Sequence, residues 1–316
     1  MKKVLFIHFS QTGQLSDILA SIAAPLERAG SVSGGVEVAR ATISPRTPYP
    51  FPWPFWRFFN TFPETVYEDA DPVDISGADL DADYDLIVLG YQVWFLSPSL
   101  PAAAFLDSPE AKRLLAGRPV ITVIGCRNMW LMAQERMKER LSDLGARLID
   151  NVVLIDSAHS AFTFISTPLW MLTGRRGPFF GGRVPEAGVS RADIQGCARF
   201  GQAIARALRR DDPLTGPILQ GLGAVRINEK LIGSEVIAKR SFKLWGGLLR
   251  AIGKPSNPLR LAVLGLYVAF LVTLILTVVP LTAVLKRLLS PFTKARIAAQ
   301  KAYFAAPSGE SRALLE

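Results

Sequence analysis

The sequence has few of the residues that cross-link small proteins or hold metals. Of 316 residues, two are cysteines, Cys126 and Cys197, and two are histidines, His8 and His159. The cysteines stand far apart and form no C-x-x-C, which argues against a disulfide framework and against a metal site. There is no G-x-x-x-x-G-K-[ST] and no G-x-G-x-x-G, so the nucleotide-triphosphate and dinucleotide fingerprints are missing. No apolar segment stands ahead of a cleavage site at the N-terminus, and no signal peptide is expected. Acidic residues are scarce in one region. Residues 222–316 carry 14 Lys and Arg against 4 Asp and Glu, whereas residues 1–221 carry 22 against 23. The net charge of +9 therefore resides in the C-terminal part, which also lacks any charge over the 25 residues from Leu261 to Leu285. Basic flanks around a charge-free apolar run suit an anionic membrane surface. No aromatic-interleaved basic groove points to nucleic acid.

What is present starts with Ser10-Gln11-Thr12-Gly13-Gln14-Leu15. The run follows the apolar stretch Val4–Phe9 and precedes a helical pattern of Leu15, Ile18, Leu19, Ile22 and Leu26. A strand, a polar turn and a helix N-terminus together form a place where backbone N–H groups and the helix dipole meet an anion. Ser10 and Thr12 add hydroxyls, and Gly13 allows close approach of the backbone. A loop without lysine suits one terminal phosphate monoester. The plain alternative is an ordinary strand-to-helix turn.

Further strands are expected at Val36–Thr42, Asp85–Gly90, Pro119–Gly125 and Leu148–Ile155, the middle ones as continuous buried runs. Helices are expected at about 101–107, 130–144 and 192–208. Alternation of strand and helix implies an α/β fold with a doubly wound, five-stranded parallel sheet. In such sheets ligands sit outside the carboxyl ends of the strands. Three loops gather there: Ser10–Leu15; Tyr91-Gln92-Val93-Trp94-Phe95; and Cys126-Arg127-Asn128. Aromatic faces and backbone amides in the second and third loops are what a flat tricyclic ring needs. His159 lies just past the last strand and is the candidate general base, since imidazole titrates near neutral pH. Tyr91 and Arg127, with Arg175 and Arg176, are candidates to polarise a carbonyl. His8, inside the first strand, reads as a packed core residue.

From Tyr49 to Phe62 eight aromatics are interleaved with Pro50, Pro52 and Pro54. They read either as a loop packing its rings on the domain, or as a lid over an apolar channel or a second membrane contact. Asp156–Ser190 reads as a long irregular segment. Leu231–Ile252 is loosely amphipathic, with Lys239, Arg240, Lys243 and Arg250 among its apolar residues, and suits a helix in the headgroup region. The charge-free run would make about 37 Å of helix, enough to cross a bilayer core, with Pro280 placed to kink it. A buried hairpin or a homodimer contact is the other use of such a run. The domain reading is 1–212 for the catalytic unit with a lid insertion at 44–66, 213–258 for a basic amphipathic linker, 259–289 for the membrane helix and 290–316 for a basic tail.

The first loop resembles the phosphate-binding loop of flavodoxin-like FMN proteins, Ser/Thr-x-Thr-Gly-x-Thr/Ser. Ser10, Thr12 and Gly13 match it, while Leu15 replaces the closing hydroxyl and Ser16 falls one place late. The Tyr91–Pro98 stretch resembles the flavin loop of flavodoxin-like quinone reductases. Pro50–Pro54, Gly90–Ser99, Arg127–Trp130 and Ala133-Gln134-Glu135 are similar to the flavodoxin-like proteins of dialkylresorcinol and flexirubin-type pigment pathways, over roughly residues 1–200. That resemblance implies FMN as cofactor, with the three loops as its cradle. It implies an aromatase that oxidises a lipophilic dialkylcyclohexane-1,3-dione to a dialkylresorcinol, after a ketosynthase and an acyl carrier protein have supplied the ring. A membrane-associated NAD(P)H-dependent quinone reductase and a flavodoxin-type electron carrier are the alternatives. The expected location is the cytoplasmic membrane, with the catalytic domain on the cytoplasmic side.

Overall fold

The computed structural model describes residues 1–30, 35–210 and 213–315; side chains at 160, 279–280 and 282–293 lie outside the description. Its centre is a sheet of six strands. β1 (Lys2–His8), β2 (Val36–Pro45), β4 (Leu86–Tyr91), β7 (Pro119–Cys126) and β8 (Arg147–Ile155) are parallel, and the short β3 (Val73–Ser76) adds an antiparallel edge beside β2. The order β3-β2-β1-β4-β7-β8 gives the five parallel strands the flavodoxin-like sequence 2-1-3-4-5. β1, β4 and β7 lie between neighbours on both sides, and their apolar runs are buried because both sheet faces are covered. The sixth strand was not expected, because Val73–Ser76 is half polar and lies in an acidic stretch.

α1 (Gln14–Gly30) packs Leu15, Ile18, Leu19, Ile22 and Leu26 onto one face of the sheet. The expected single helix near 192–208 is two, α8 (Arg191–Gly196) and α9 (Ala198–Arg209). α9 crosses α1 so closely that a Cβ on Gly201 would lie 1.9 Å from the Ile22 carbonyl oxygen. The opposite face carries α4 (Leu100–Asp107), α5 (Pro109–Leu115) and α6 (Leu131–Asp143), with Phe105, Leu114, Met137 and Leu141 in its core. The aromatic segment folds as two short helices, α2 (Phe55–Asn60) and α3 (Phe62–Tyr67). The segment read as irregular contains α7 (Ser160–Thr173). A two-residue ribbon, β5 (Val93–Trp94) with β6 (Ser97–Pro98), completes the second loop.

The expected boundary at 212 does not close a domain. Leu219, Leu222 and Ala224 are buried in one core, and Val225, Ile227, Phe304 and Ala305 in the other. The chain after the second helix runs beside β8, where Val153 N–H donates to Ala224 O at 2.8 Å. Nor is 290–316 a free basic tail. Ser308 Oγ accepts from Asn151 N–H at 2.7 Å and donates to Asp150 Oδ1 at 2.6 Å; Glu310 Oε1 accepts from Ile227 N–H at 2.7 Å. The physical reason is that β8 is a terminal strand whose outer rim needs covering, and two segments far apart in sequence cover it.

α10 (Glu229–Ile252) and α11 (Pro258–Ala305) form the C-terminal helical part. The stretch Pro258–Val278 of α11 is long and apolar enough to cross a membrane. The first turns of α11 are docked on α3 and α10. Arg260, 1% exposed, places all five guanidinium N–H donors: two on the Glu64 carboxylate at 2.7 and 2.8 Å, two on Asn60 and one on the Gly253 carbonyl. Tyr267 stacks on Phe62 with ring centroids 4.8 Å apart. The helical assignment continues unbroken through Pro280, whose side chain lies outside the described residues.

Candidate functional site

The strand order reverses direction between β1 and β4, so the loops after these strands diverge and leave a crevice at their carboxyl ends. The first loop occupies one wall. The first N–H groups of α1 have no carbonyl within the helix to bond. Ser10 Oγ is buried and has no hydrogen-bond partner. Gly13 holds φ of +80° with open space where a Cβ would stand. A buried, unspent hydroxyl at a helix N-terminus fits a terminal phosphate.

Not every expected residue of this loop is free to bind through its side chain. Gln11 N–H donates to Gln92 Oε1 at 3.1 Å, which ties the first loop to the second. Its Nε2 reaches the carbonyls of Tyr49 and Pro50 at 3.2 and 3.1 Å, which ties it to the lid. Gln14 makes a two-way amide pair with the backbone of Val189, at 2.9 and 3.2 Å, and Leu15 is buried in the core. Gln14 and Leu15 can therefore contribute only backbone N–H groups. Ser16 lies 2.8 Å from His8 Nε2, so the displaced hydroxyl is spent on the core histidine. Burial, with the nearby Arg40, lowers the pKa of His8.

The second loop is over-determined. Phe95 and Leu96 both have left-handed backbones, φ +47° and +59°, a conformation that costs non-glycine residues about 1–2 kcal/mol each. Packing holds them there. The Phe95 ring sits 5.0 Å from Phe58 and 5.4 Å from Phe62, and Lys239 Nζ donates to Leu96 O at 3.0 Å and Ser97 Oγ at 2.6 Å. Trp94 meets Phe9, Tyr49 and Trp53 edge to face at 5.1–6.0 Å. Val93 is half-buried beside this cage.

Tyr91 has a different part from the one expected. It is fully buried, and its hydroxyl donates to Gln134 Oε1 at 2.6 Å. Gln134 Nε2 continues to Thr122 Oγ1 at 3.1 Å, and Thr122 to Asn151 Oδ1 at 3.0 Å. Tyr91 thus starts a polar chain through the core toward β8, and burial pushes its phenol well above its ordinary range. A phenol so enclosed polarises no substrate carbonyl.

In the third loop Cys126 is half-buried, and desolvation raises its thiol pKa strongly, which makes it a poor nucleophile. Arg127 lies under α7: Nε donates to Thr163 Oγ1 at 2.9 Å and the guanidinium stacks 3.9 Å from the Phe164 centroid. Its Nη2 is buried without a partner, and burial lowers its pKa to about 10. This is an unspent charged donor on the ligand edge. Asn128 is half-buried next to it. His159 is exposed and caps α7, accepting from Ala161 N–H through Nδ1 at 3.3 Å. In its neutral form that leaves the proton on Nε2, a donor rather than a base. Arg176 is spent on the carbonyls of Ala187 and Val189.

Two participants, Asp156 and Lys239, were not among the expected site residues. Asp156, at the end of β8, accepts from Ala158 N–H at 2.9 Å and Gly188 N–H at 2.7 Å and so pins the loop that meets Gln14. Lys239, read as an interfacial cation, instead clamps the second loop. An acid at a strand terminus could have marked the first; nothing local marks the second. Among the described residues no cluster of His, Cys, Asp or Glu could hold a metal.

No family model matches this chain, and no curated protein matches it. Among solved structures it is similar to a flavoprotein in complex with FMN from Lactobacillus acidophilus, with 16% identity over 48% of this chain and 93% of that one and a TM-score of 0.37. A flavodoxin from the domain Archaea has 13% identity over 66% and 99%, with a TM-score of 0.36. An azoreductase from Bacillus anthracis has 13% identity over 64% and 99%, with a TM-score of 0.32. The flavodoxin-like assignment rests on the strand order and connectivity of this chain itself.

Proposed function

We propose that the protein is an FMN-dependent oxidoreductase acting on a lipophilic substrate at the cytoplasmic membrane. The observation that carries the reading is the buried, unpartnered Ser10 hydroxyl beside the free first-turn N–H groups of α1, at the switch point of a flavodoxin-like sheet. Ser10, Thr12 and the backbone from Thr12 to Leu15 would hold the phosphate. The second and third loops, 91–95 and 126–128, would flank the ring. One phosphate cradle with no dinucleotide fingerprint supports FMN over FAD. Bound there, the flavin supplies a hydride acceptor.

For the substrate we infer a dialkylcyclohexane-1,3-dione, aromatised to a dialkylresorcinol. The aromatic lid supports a substrate with alkyl chains, since Tyr49, Trp53 and Trp94 form one cluster of rings and Phe51 meets Trp170 in a second. Arg127 Nη2 has the free donor that would steady a developing enolate. His159 Nε2–H would orient a carbonyl; to take the substrate proton, Nδ1 must first leave its helix cap.

Anaerobic mixing of the purified protein with the dione tests the proposal, with absorbance of the bound flavin as the signal. The dione should bleach the flavin faster than NADPH does. Rapid reduction by NADPH alone would move the assignment to a quinone reductase, and a colourless protein that takes up no FMN would remove the oxidoreductase reading. His159→Ala should keep FMN. A slowing of about a hundredfold or more would make His159 the base despite its cap, whereas a loss under tenfold leaves it an orienting donor.

A further inference from the structure

We infer that α11 is not a transmembrane span but an arch, which enters and leaves one leaflet of an anionic bilayer on the side where the sheet domain sits. The inference does not depend on the cofactor or the substrate.

The first observation is where the two ends of the helix are held. Near its start, Tyr267 and Phe270 lie against Trp245 of α10, with ring centroids 5.1 and 5.6 Å apart. Near its end, Lys301 Nζ pairs with Glu229 of the same helix α10 at 3.0 Å, and Tyr303 donates to Glu135 of α6 at 2.5 Å. At about 1.5 Å per residue, α10 measures about 24 Å from Glu229 to Trp245, while α11 measures about 46 Å from Phe270 to Lys301. A straight helix lying along α10 cannot meet both points. Bent at Pro280, with arms of about 15 and about 32 Å over a base of about 24 Å, the helix rises about 14 Å above that base. That height does not exceed the half-thickness of a bilayer core, about 15 Å, and falls well short of its full thickness of about 30 Å. Pro280 falls inside the charge-free run, where a proline removes a helical hydrogen bond and bends the axis, so the deepest part of the arch carries no charge.

The second observation is exposure. Among the described residues of α11, none between Leu271 and Phe304 is buried. Leu276 is 71% exposed, and Val272, Val278 and Leu281 are exposed as well. Such a surface is costly in water and ordinary in lipid. The third observation is charge. Arg240, Lys243 and Lys254 are exposed before the charge-free run Leu261–Leu285; Lys286 and Arg287 follow that run directly in sequence, and Lys294 and Arg296 are exposed on the returning arm. Ile237 and Leu244 of α10, 68% and 77% exposed, continue the apolar surface beside these cations. Cations flanking an apolar segment match an anionic headgroup layer.

The fourth observation excludes the crossing geometry. A helix that crossed the bilayer would leave residues 294–315 on the far side. Ser308 would then be withdrawn from Asp150 and Asn151, Glu310 from Ile227, and Leu314 from Gly221 O, to which it donates at 3.0 Å. Phe304 and Ala305 would leave the core. The domain would lose the cover of its β8 rim.

The test uses the full chain in phosphatidylglycerol–phosphatidylcholine vesicles, with single cysteines introduced at exposed positions as Lys254→Cys and Ala298→Cys, and the unmodified chain as control. A membrane-impermeant maleimide added outside should label both positions in the same vesicle population to the same extent. Labelling of Ala298→Cys only after the vesicles are opened, with Lys254→Cys labelled beforehand, would overturn the arch in favour of a span. A bimane on Leu276→Cys should be quenched by nitroxides placed along the acyl chains of lipids in the outer leaflet. Quenching by aqueous iodide instead, or vesicle-free protein that elutes as a dimer with the bimane shielded, would overturn the lipid assignment. Folding of each variant is checked by its far-ultraviolet circular dichroism. Flavin content is read separately, so a protein without FMN that still labels from one side sinks the oxidoreductase proposal and leaves the arch standing.

Discussion

Ser10 and Ser308 are both serines whose hydroxyl is buried, and they have opposite meanings. Ser10 Oγ has no partner, while Ser308 Oγ accepts from one backbone N–H and donates to one carboxylate. An unmade hydrogen bond in a folded protein costs about 1–3 kcal/mol. The loop of residues 10–15 carries that cost and gains nothing from it within the chain, which is the mark of a place kept for a ligand. The strap of residues 306–315 spends its polar groups inside the chain, which is the mark of structure. The same contrast separates the second loop, locked by rings and Lys239, from the first, where Ser10 Oγ and Arg127 Nη2 across the crevice remain unspent.

The sharpest way to break the comparison is to remove the strap. A chain ending at Arg210 loses Leu219, Leu222, Ala224, Phe304 and Ala305 from the two cores, together with the partners of Asp150. Fully burying a single large apolar side chain contributes about 1.5–3 kcal/mol, and total stabilities are about 5–15 kcal/mol. We expect this chain to lack a cooperative thermal unfolding transition by calorimetry; a sharp transition would show that the sheet domain closes without its C-terminal cover.

Single substitutions at the two serines should then separate in kind. Ser308→Ala strands Asp150 Oδ1 and Asn151 N–H and should lower stability by about 1–3 kcal/mol in urea unfolding, with FMN affinity unchanged. Ser10→Ala should leave unfolding unchanged and weaken FMN binding by about tenfold or more in titration of the apo-protein, the loss of one bond to a charged oxygen. Equal effects of both variants on stability would erase the distinction.

The last test concerns Glu235, one helical turn before the Lys239 clamp on α10. Glu235 accepts from Met132 N–H at 2.7 Å, its Oε2 is buried without a partner, and burial raises its pKa to about 7. The native state therefore holds a proton that the unfolded chain releases near pH 4.5, and stability falls as pH rises from about 4.5 to about 7. Glu235→Gln keeps the acceptor and should flatten that decline, leaving the slope due to Asp150, which burial raises to about 6. Urea unfolding at a series of pH values reads the difference, and an unaltered slope would place the titration elsewhere.

The sequence alone determined the parallel strands, the phosphate-type loop after the first and the basic apolar C-terminal part, because each is written in neighbouring residues. A continuous apolar run such as Leu86–Gly90 can only be a buried element, and Ser10–Leu15 between a strand and a helix can only be a polar turn with free N–H groups. Only the tertiary structure decided that Tyr91 is enclosed and bonded to Gln134, that Lys239 serves the second loop, and that Ser308 closes the rim of β8. These pairings join residues 43, 142 and 157 positions apart, and no local period or spacing encodes them. The same holds for the charge-free run of α11. Length and composition make it fit to cross a bilayer, and only the two places where its ends are fastened to one domain bring it back to the side it came from.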